Sequence, residues 1–475
     1  MELIQIYDPG VAQYAYILGC ENTGEAIIID PQRNISEYLK AAEDKNLNIV
    51  AVTETHIHAD FLSGTQEFVK TLGMKAYCSK HGEGQGWAYE WAKSESSVQM
   101  VQDGDEIKIG DLKLKVIHTP GHTPEHIVFL VTAENEDTPM GAVTGDFVFV
   151  RDLGRPDLLE KAAKQDGKMK EGAESLFKTT QSFKKYADSL IIWPGHGAGS
   201  ACGKSLGSMP YTTWGYEKKT SPALQYDDQG EFVDFITSAQ KEPPLYFARM
   251  KHLNRDGAPL LDLKDFKEFS NLELQCYRGE HDDVLLIDLR DNRNEAMAER
   301  TKGTFYASFG SLSTAVGSMI KKTDQPIIFI GGQNQAHEAR KRLSNVGYEN
   351  LVGFIKPASF SKYLQSTGKS PIPVTDFGEI REEMDAGNIT IVDVRSGSEY
   401  ENAHIKDAIH APYTRLPESI ETLPKDKKLY VHCGSGMRAS VAVSYLSGLG
   451  YDVVLINDMF SNSGSCSSKV KACAA

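Results

Sequence analysis

His56, His58 and Asp60 stand in a histidine-x-histidine-x-aspartate run, and His122, Asp146 and His196 follow at longer spacings. Imidazole nitrogens and carboxylate oxygens that converge within about 2 Å of one point hold a transition metal. These six residues are therefore the ligand candidates of one metal site. A second chemistry resides in Cys433-Gly434-Ser435-Gly436-Met437-Arg438. Here a cysteine ends an apolar strand and opens a short glycine loop before a helix-like run, where backbone N–H groups favour a thiolate or persulfide. Gly434, Ser435, Gly436 and Met437 would line the place where a ligand meets the sulfur, and Arg438 would supply fixed positive charge for an anion.

Such residues need rigid elements behind them, and the first half of the chain supplies them as short strands. YAYILG, AIIID, NIVAVTET, KLKVIHT, HIVFLV and LIIWPGH alternate with helical stretches such as 35–45. The pattern predicts two sheets flanked by helices, with the histidines on loops at strand ends, where a sheet scaffold displays a site. Cys202 follows one of these loops and is expected to face the metal, either to contact or carry a sulfur atom or as a buried bystander.

Tyr216 to Pro244 is rich in turn formers and charge, and a second proline-rich break falls near Pro357, Pro371 and Pro373. Around the second break one pattern occurs twice. Asp288-Leu289-Arg290, the strand 326–330 and Gly331-Gly332 in the first copy answer to Asp393-Val394-Arg395, the strand 429–432 and the Cys433 loop in the second. The alignment sets Gly332 against Cys433 and His337 against Arg438, so the first copy lacks the cysteine. Three domains are expected, at 1–238, 239–368 and 369–475.

The chain has 475 residues, with 65 acidic and 51 basic side chains and a net charge of −14. That balance argues against nucleic acid and anionic membrane as partners. No basic residue precedes Arg33 and no apolar run reaches the roughly 20 residues of a membrane span. Seven scattered cysteines do not form a disulfide framework. A cytoplasmic protein is expected. The serine-rich end, with Cys466 and Cys473, reads as a frayed tail without a role.

T-H-x-H-x-D, H-T-P-G-H-T, Thr144-Gly145-Asp146 and Pro194-Gly195-His196 occur in the order found in the metallo-β-lactamase fold, which the first half resembles. The resemblance implies an αββα sandwich. Hydrolytic members of that fold, including the glyoxalase II type, carry a histidine directly after the motif aspartate, whereas this chain has Phe61. A phenyl ring has no lone pair to give, so a two-metal centre loses a ligand. What remains is similar to the persulfide dioxygenase branch, in which two histidines and a carboxylate bind one iron, by motif position His56, His122 and Asp146. His58, Asp60 and His196 would then orient ligands or waters. Gly154-Arg155-Pro156-Asp157 resembles the G-R-x-D stretch of that branch, with Arg155 and Asp157 read as an ion pair shaping the site wall.

The Cys433 loop, with Asp393-x-Arg395 and Glu399-Tyr400 upstream, resembles the rhodanese active-site loop, and the middle repeat a degenerate rhodanese domain. The whole is similar to bacterial three-domain fusions of the persulfide dioxygenase-sulfurtransferase type. That resemblance implies an Fe(II) enzyme oxidising a low-molecular-weight thiol persulfide, such as that of glutathione or coenzyme A, with dioxygen to thiol and sulfite. Cys433 would pass a sulfane sulfur to sulfite to give thiosulfate, and a homodimer or homotetramer is implied. Two alternatives remain: a zinc thioester hydrolase of glyoxalase II type joined to a sulfurtransferase, and a non-enzymatic sulfur-trafficking module.

Overall fold

The computed structural model describes residues 1–158, 167–238, 240 and 242–464. Cys466 and Cys473 lie outside them. The chain divides into two compact units, one holding Met1–Leu261 and the other most of the remaining chain.

The first unit is built on two six-stranded sheets. In one, β1 (Glu2–Asp8), β2 (Gln13–Gly19), β3 (Glu25–Ile29), β4 (Asn48–Thr53), β5 (Lys75–Ser79) and β6 (Val98–Val101) lie in sequence order. In the other the order is β14 (Thr212–Thr213), β13 (Ile191–Pro194), β10 (Gly141–Gly145), β9 (Ile127–Thr132), β8 (Leu112–His118) and β7 (Glu106–Ile109), while β11 (Val148–Phe149) and β12 (Asp152–Leu153) pair as a separate antiparallel ribbon. Successive strand residues point to opposite faces, and here both faces are covered. Tyr16 and Leu18 meet Leu112, Leu114, Phe129 and Val131 between the sheets. Their neighbours Ala15 and Ile17 pack outward on Tyr38 and Phe68 of the helices Ser36–Glu43 and Thr65–Leu72. Val128 and Leu130 pack the other way, onto Leu176 of the helix Lys168–Phe183 and onto Trp214 and Phe232. Strands buried on both sides read as the near-continuous apolar runs seen in the sequence. The layers are helix, sheet, sheet, helix, as expected.

The turn-rich stretch from Tyr216 differs from a linker. It contains the helices Trp214–Thr220 and Gln229–Thr237, and the helix Phe247–Asp256 beyond it also belongs to the first unit. Trp214, Phe232, Ile236, Phe247 and Met250 are buried there. Apolar side chains at helical spacing outweigh local turn composition, and the compact unit runs to Leu261, past residue 238.

The second unit holds two five-stranded sheets. Their orders are β15 (Lys267–Glu268), β19 (Leu351–Ile355), β18 (Ile327–Ile330), β16 (Leu285–Asp288), β17 (Phe305–Tyr306) and β20 (Val374–Thr375), β24 (Val453–Ile456), β23 (Leu429–His432), β21 (Thr390–Asp393), β22 (Ile409–His410). Both sheets are parallel throughout and share one topology, as the sequence repeat predicts. In each copy the aspartate ending β16 or β21 binds an arginine two residues on. Arg290 Nε donates to Asp288 Oδ1 at 3.0 Å and Arg395 Nε to Asp393 Oδ1 at 2.9 Å, with all four side chains buried. These pairs brace the fold. Among the described residues no helix is long and apolar enough to cross a membrane.

Candidate metal centre and sulfur-transfer loop

Four strand ends of the first unit deliver the metal-site residues. The loop after β4 carries His56, His58 and Asp60, the β8–β9 loop carries His122, Asp146 follows β10 directly, and His196 follows β13 after Gly195. All six side chains are buried. Gly195 allows the last two strands to close up, since a Cβ there would lie 2.6 Å from Asp146 Oδ1.

His56, His122 and Asp146 each offer a ligand atom within 4.8 Å of the others. His122 Nε2 lies 3.4 Å and His56 Nε2 3.9 Å from Asp146 Oδ2. Their other nitrogens are engaged: His122 Nδ1 donates to the Arg155 carbonyl at 2.9 Å, and His56 Nδ1 meets the Thr55 hydroxyl at 2.9 Å. Hydrogen bonds of this kind orient an imidazole so that its free nitrogen faces a metal. Burial pulls His122 down to about 3 and, with the neighbouring histidines, holds His56 well below its ordinary range. Both rings are therefore neutral, the form that ligates metals. Both Asp146 oxygens are buried without hydrogen-bond partners. Orphaned buried acceptors are rare, and a cation would satisfy these, so the residues present fit a metal ion.

The remaining three differ in their placing. His58 turns away: its Nε2 lies 3.1 Å from Asp30 Oδ1. Burial would lower it, but the Asp30 carboxylate outweighs that and raises it to about 9, so His58 is a charged partner of Asp30. Asp60 and His196 instead face the site, and with Cys202 form a second group whose ligand atoms lie within 4.8 Å of one another. His196 Nε2 is 3.4 Å from Asp60 Oδ2 and 3.5 Å from Asp146 Oδ1. Asp146 thus turns one oxygen to each group. Burial and the Asp146 and Asp60 carboxylates push the Cys202 thiol well up, which keeps it protonated and unlike a free nucleophile. Phe61 is fully buried, with its ring centroid 4.3 Å from that of His58.

Arg155 and Asp157 form a buried bidentate pair at 2.7 and 2.8 Å. Arg155 also donates to the carbonyls of Ala201 through Nη1 and of Cys202 through its backbone N–H. One guanidinium therefore fixes the Cys202 loop while the carbonyl of the same residue orients His122.

Several residues that pattern reading passes over hold this centre. Asp30 directly follows the apolar strand β3, and its carboxylate receives the Thr55 N–H at 2.6 Å and the Thr55 hydroxyl at 2.9 Å. His126 accepts the Asp146 N–H at 3.0 Å and stacks on His56 at 5.0 Å. Glu125 accepts the Ile57 N–H at 2.7 Å. A polar residue closing an apolar strand is the visible sign of Asp30, and proximity to His122 that of the other two. Asn254 had no sign. From the helix Phe247–Asp256 its Nδ2 donates to the carbonyls of His58 and Phe61 at 2.8 and 2.7 Å, and its Oδ1 accepts the Ser63 N–H at 2.9 Å.

In the second unit Cys433 is buried at the end of β23, before the helix Met437–Gly448. The fixed positive charge expected at Arg438 is there, and the structure gives it a partner. Its Nη1 and Nη2 donate to the two Glu399 oxygens at 2.6 and 2.7 Å. Glu399 is anchored in turn by the Ser396 N–H at 3.1 Å and hydroxyl at 2.9 Å, as the cap of the helix Gly397–Asn402. A polar interaction also joins Arg438 to Cys433. In the middle repeat nothing crowds Gly332, and His337 packs 5.0 Å from Phe266.

The Metallo-beta-lactamase superfamily model matches residues 8–196, and the Rhodanese-like domain model residues 376–462. A metallo-beta-lactamase from Staphylococcus aureus subsp. aureus COL of known structure is 36% identical, with a TM-score of 0.65, over 75% of this chain and 99% of that one. Persulfide dioxygenase ETHE1, mitochondrial, of Bos taurus is 29% identical over 163 residues, 34% of this chain and 58% of that protein. A probable hydroxyacylglutathione hydrolase of Schizosaccharomyces pombe is 27% identical over 186 residues, 38% of this chain and 63% of that protein. The chain thus spans less than two thirds of each of these last two.

Proposed function

The chain belongs to the metallo-beta-lactamase superfamily and carries a rhodanese-like domain behind that fold, and on this premise we propose that it oxidises thiol persulfides and transfers sulfur through Cys433. The observation that carries the reading is the donor set of His56, His122 and Asp146 beside Phe61, a side chain that cannot ligate. Likeness to a persulfide dioxygenase supports it. A ferrous ion held by these three residues would supply the redox chemistry dioxygen requires, with coordination positions left for sulfur and oxygen.

The protein's own part is to orient and to exclude. Thr55 and the Arg155 carbonyl set the two imidazoles, the Arg155–Asp157 pair holds the neighbouring wall, and burial keeps bulk water from the centre. The net reaction is thiol persulfide plus dioxygen plus water giving thiol plus sulfurous acid, which ionises to sulfite. At Cys433 the thiolate attacks the outer sulfur of a second thiol persulfide, whose S–S bond breaks to release the thiol, and the resulting Cys433 persulfide gives its outer sulfur to sulfite. The S–S bond breaks, sulfite gains the sulfur as thiosulfate, and Cys433 leaves as thiolate.

One observation favours a second reading, a two-metal thioester hydrolase. Asp60, His196 and Cys202 could supply in another way the ligand that Phe61 withholds, and a hydroxyacylglutathione hydrolase is among the similar proteins. Metal analysis of the purified full chain, paired with oxygen uptake on glutathione persulfide and hydrolysis of S-lactoylglutathione, separates the two. One iron per chain with oxygen uptake upholds the first; two zinc ions per chain with thioester hydrolysis overturns it. Sulfur transfer without oxygen uptake leaves only a trafficking role. A cytoplasmic setting and a homo-oligomer complete the proposal.

A further inference from the structure

Two guanidinium groups meet the loop after Cys433, and one comes from the other repeat. Arg438 is neutralised by its bidentate bond to Glu399. Burial opposes ionisation of Glu399, but the Arg438 bonds and charge outweigh it and hold the carboxyl down to about 2. The pair therefore presents no net charge to an incoming anion. Arg293 is different. It opens the helix Arg293–Ala298 of the middle repeat, and its Nη1 donates to the Ser435 carbonyl at 2.9 Å. Among the described residues it has no carboxylate within 4.0 Å. A carbonyl takes one of its five N–H donors and none of its charge.

The loop is shaped to admit this side chain. Gly436 has φ +80°, and a Cβ there would lie 3.1 Å from Arg293 Nη1 and would collide with Asn457 Oδ1. Asn457 Nδ2 in turn donates to Asn294 Oδ1 at 2.8 Å, so two consecutive residues of the middle repeat engage this corner. A sulfur transferase whose own loop arginine is already paired needs a second cation where thiolate or persulfide meets a sulfur oxyanion, because like charges repel at contact distance.

The geometry points to Arg293 as the residue that binds the sulfur oxyanion, thiosulfate or sulfite, at Cys433, so that the repeat with Gly332 in place of cysteine completes the site of the other. This rests on the sulfur-transfer reading of Cys433. In the step served, the Cys433 thiolate attacks the outer sulfur of thiosulfate. The thiosulfate S–S bond breaks, sulfite departs with the electron pair, and Cys433 becomes the persulfide.

The test uses the full chain with Arg293→Ala and Arg293→Lys. Arg293→Ala is expected to raise the KM for thiosulfate about tenfold with a smaller change in kcat, and Arg293→Lys to recover most of it. Alkylation of Cys433 by anionic iodoacetate and neutral iodoacetamide, followed by peptide mass spectrometry, reads the same charge without any turnover. The iodoacetate-to-iodoacetamide rate ratio should fall several-fold in Arg293→Ala and hold in Arg293→Lys. A merely structural role would shift both alkylation rates together, and an unchanged ratio in Arg293→Ala overturns the inference. Should the wild-type chain transfer no sulfur from thiosulfate, the reading of Cys433 fails, while the alkylation ratio still decides whether Arg293 attracts anions.

Discussion

Replacing Asn254 by alanine should loosen the metal loop from a position outside the ligand set. The substitution removes three hydrogen bonds, two buried ones to the carbonyls of His58 and Phe61 and a partly buried one from the Ser63 N–H. A net contribution of about 0.5–1.5 kcal/mol each gives about 1.5–4.5 kcal/mol. The three orphaned backbone groups all lie in the segment that follows His56 and includes Asp60. If about 2 kcal/mol of that loss must be recovered when the loop is held for metal, affinity falls roughly 30-fold, at 1.4 kcal/mol per factor of ten. That lies within the 10–100-fold range typical of groups supporting metal ligands. The assay is a competition titration with a chromophoric chelator, alongside amide hydrogen exchange across 58–63. Exchange at the Ser63 amide should accelerate as affinity falls. Metal affinity within twofold of wild type, together with unchanged exchange, would refute the argument that this helix positions the loop.

Further expectations concern the two sites separately. His122→Ala should abolish oxygen consumption on glutathione persulfide yet leave thiosulfate-dependent sulfur transfer within about twofold, as measured by thiocyanate formation from cyanide. Cys433→Ser should do the reverse, lowering sulfur transfer at least 100-fold and letting sulfite accumulate; an unchanged thiosulfate-to-sulfite ratio would disprove coupling between the two reactions. Phe61→His adds an imidazole beside Asp60, and metal analysis should then show stoichiometry rising from one toward two ions per chain. Glu399, depressed to about 2 from an ordinary 4.5, stabilises the fold above about pH 4.5, and that contribution is lost as pH falls toward 2. Melting of wild type and Glu399→Gln should accordingly differ most at neutral pH and converge on acidification. Side chains this exposed to solvent keep the effect small.

The layered fold of the first half was legible because its central strands are buried on both faces, which leaves long apolar runs such as YAYILG and HIVFLV. The duplication was legible because both copies keep the same aspartate-arginine pair at the same strand end. The histidines and carboxylates of the metal motifs are local in sequence, two residues apart or next to a strand end, and the structure gathers them. What escaped is non-local. Asn254 lies 196 positions from His58, and its value comes only from which carbonyls it reaches. Glu399 and Arg438 are 39 positions apart, so the neutrality of the pair could not be read from the loop that contains the arginine. Cys202 joins Asp60 and His196 because Arg155 tethers its loop, a contact no spacing rule describes.

The reach of the helix Phe247–Asp256 also bears on how such a fusion can be taken apart. A fragment ending where the superfamily match ends, at residue 196, or at the turn-rich stretch before residue 238, would keep every metal-site residue but discard the hydrogen bonds from Asn254 and from the 258–259 backbone, whose carbonyls receive Gln66 and Arg33. Expression plasmids for the isolated metallo-beta-lactamase-fold unit should therefore terminate beyond Leu261. A shorter excision would yield a polypeptide with the histidine and carboxylate donors of the candidate centre and a slackened loop beneath them, and a resulting low activity would be mistaken for dependence on the rhodanese-like half.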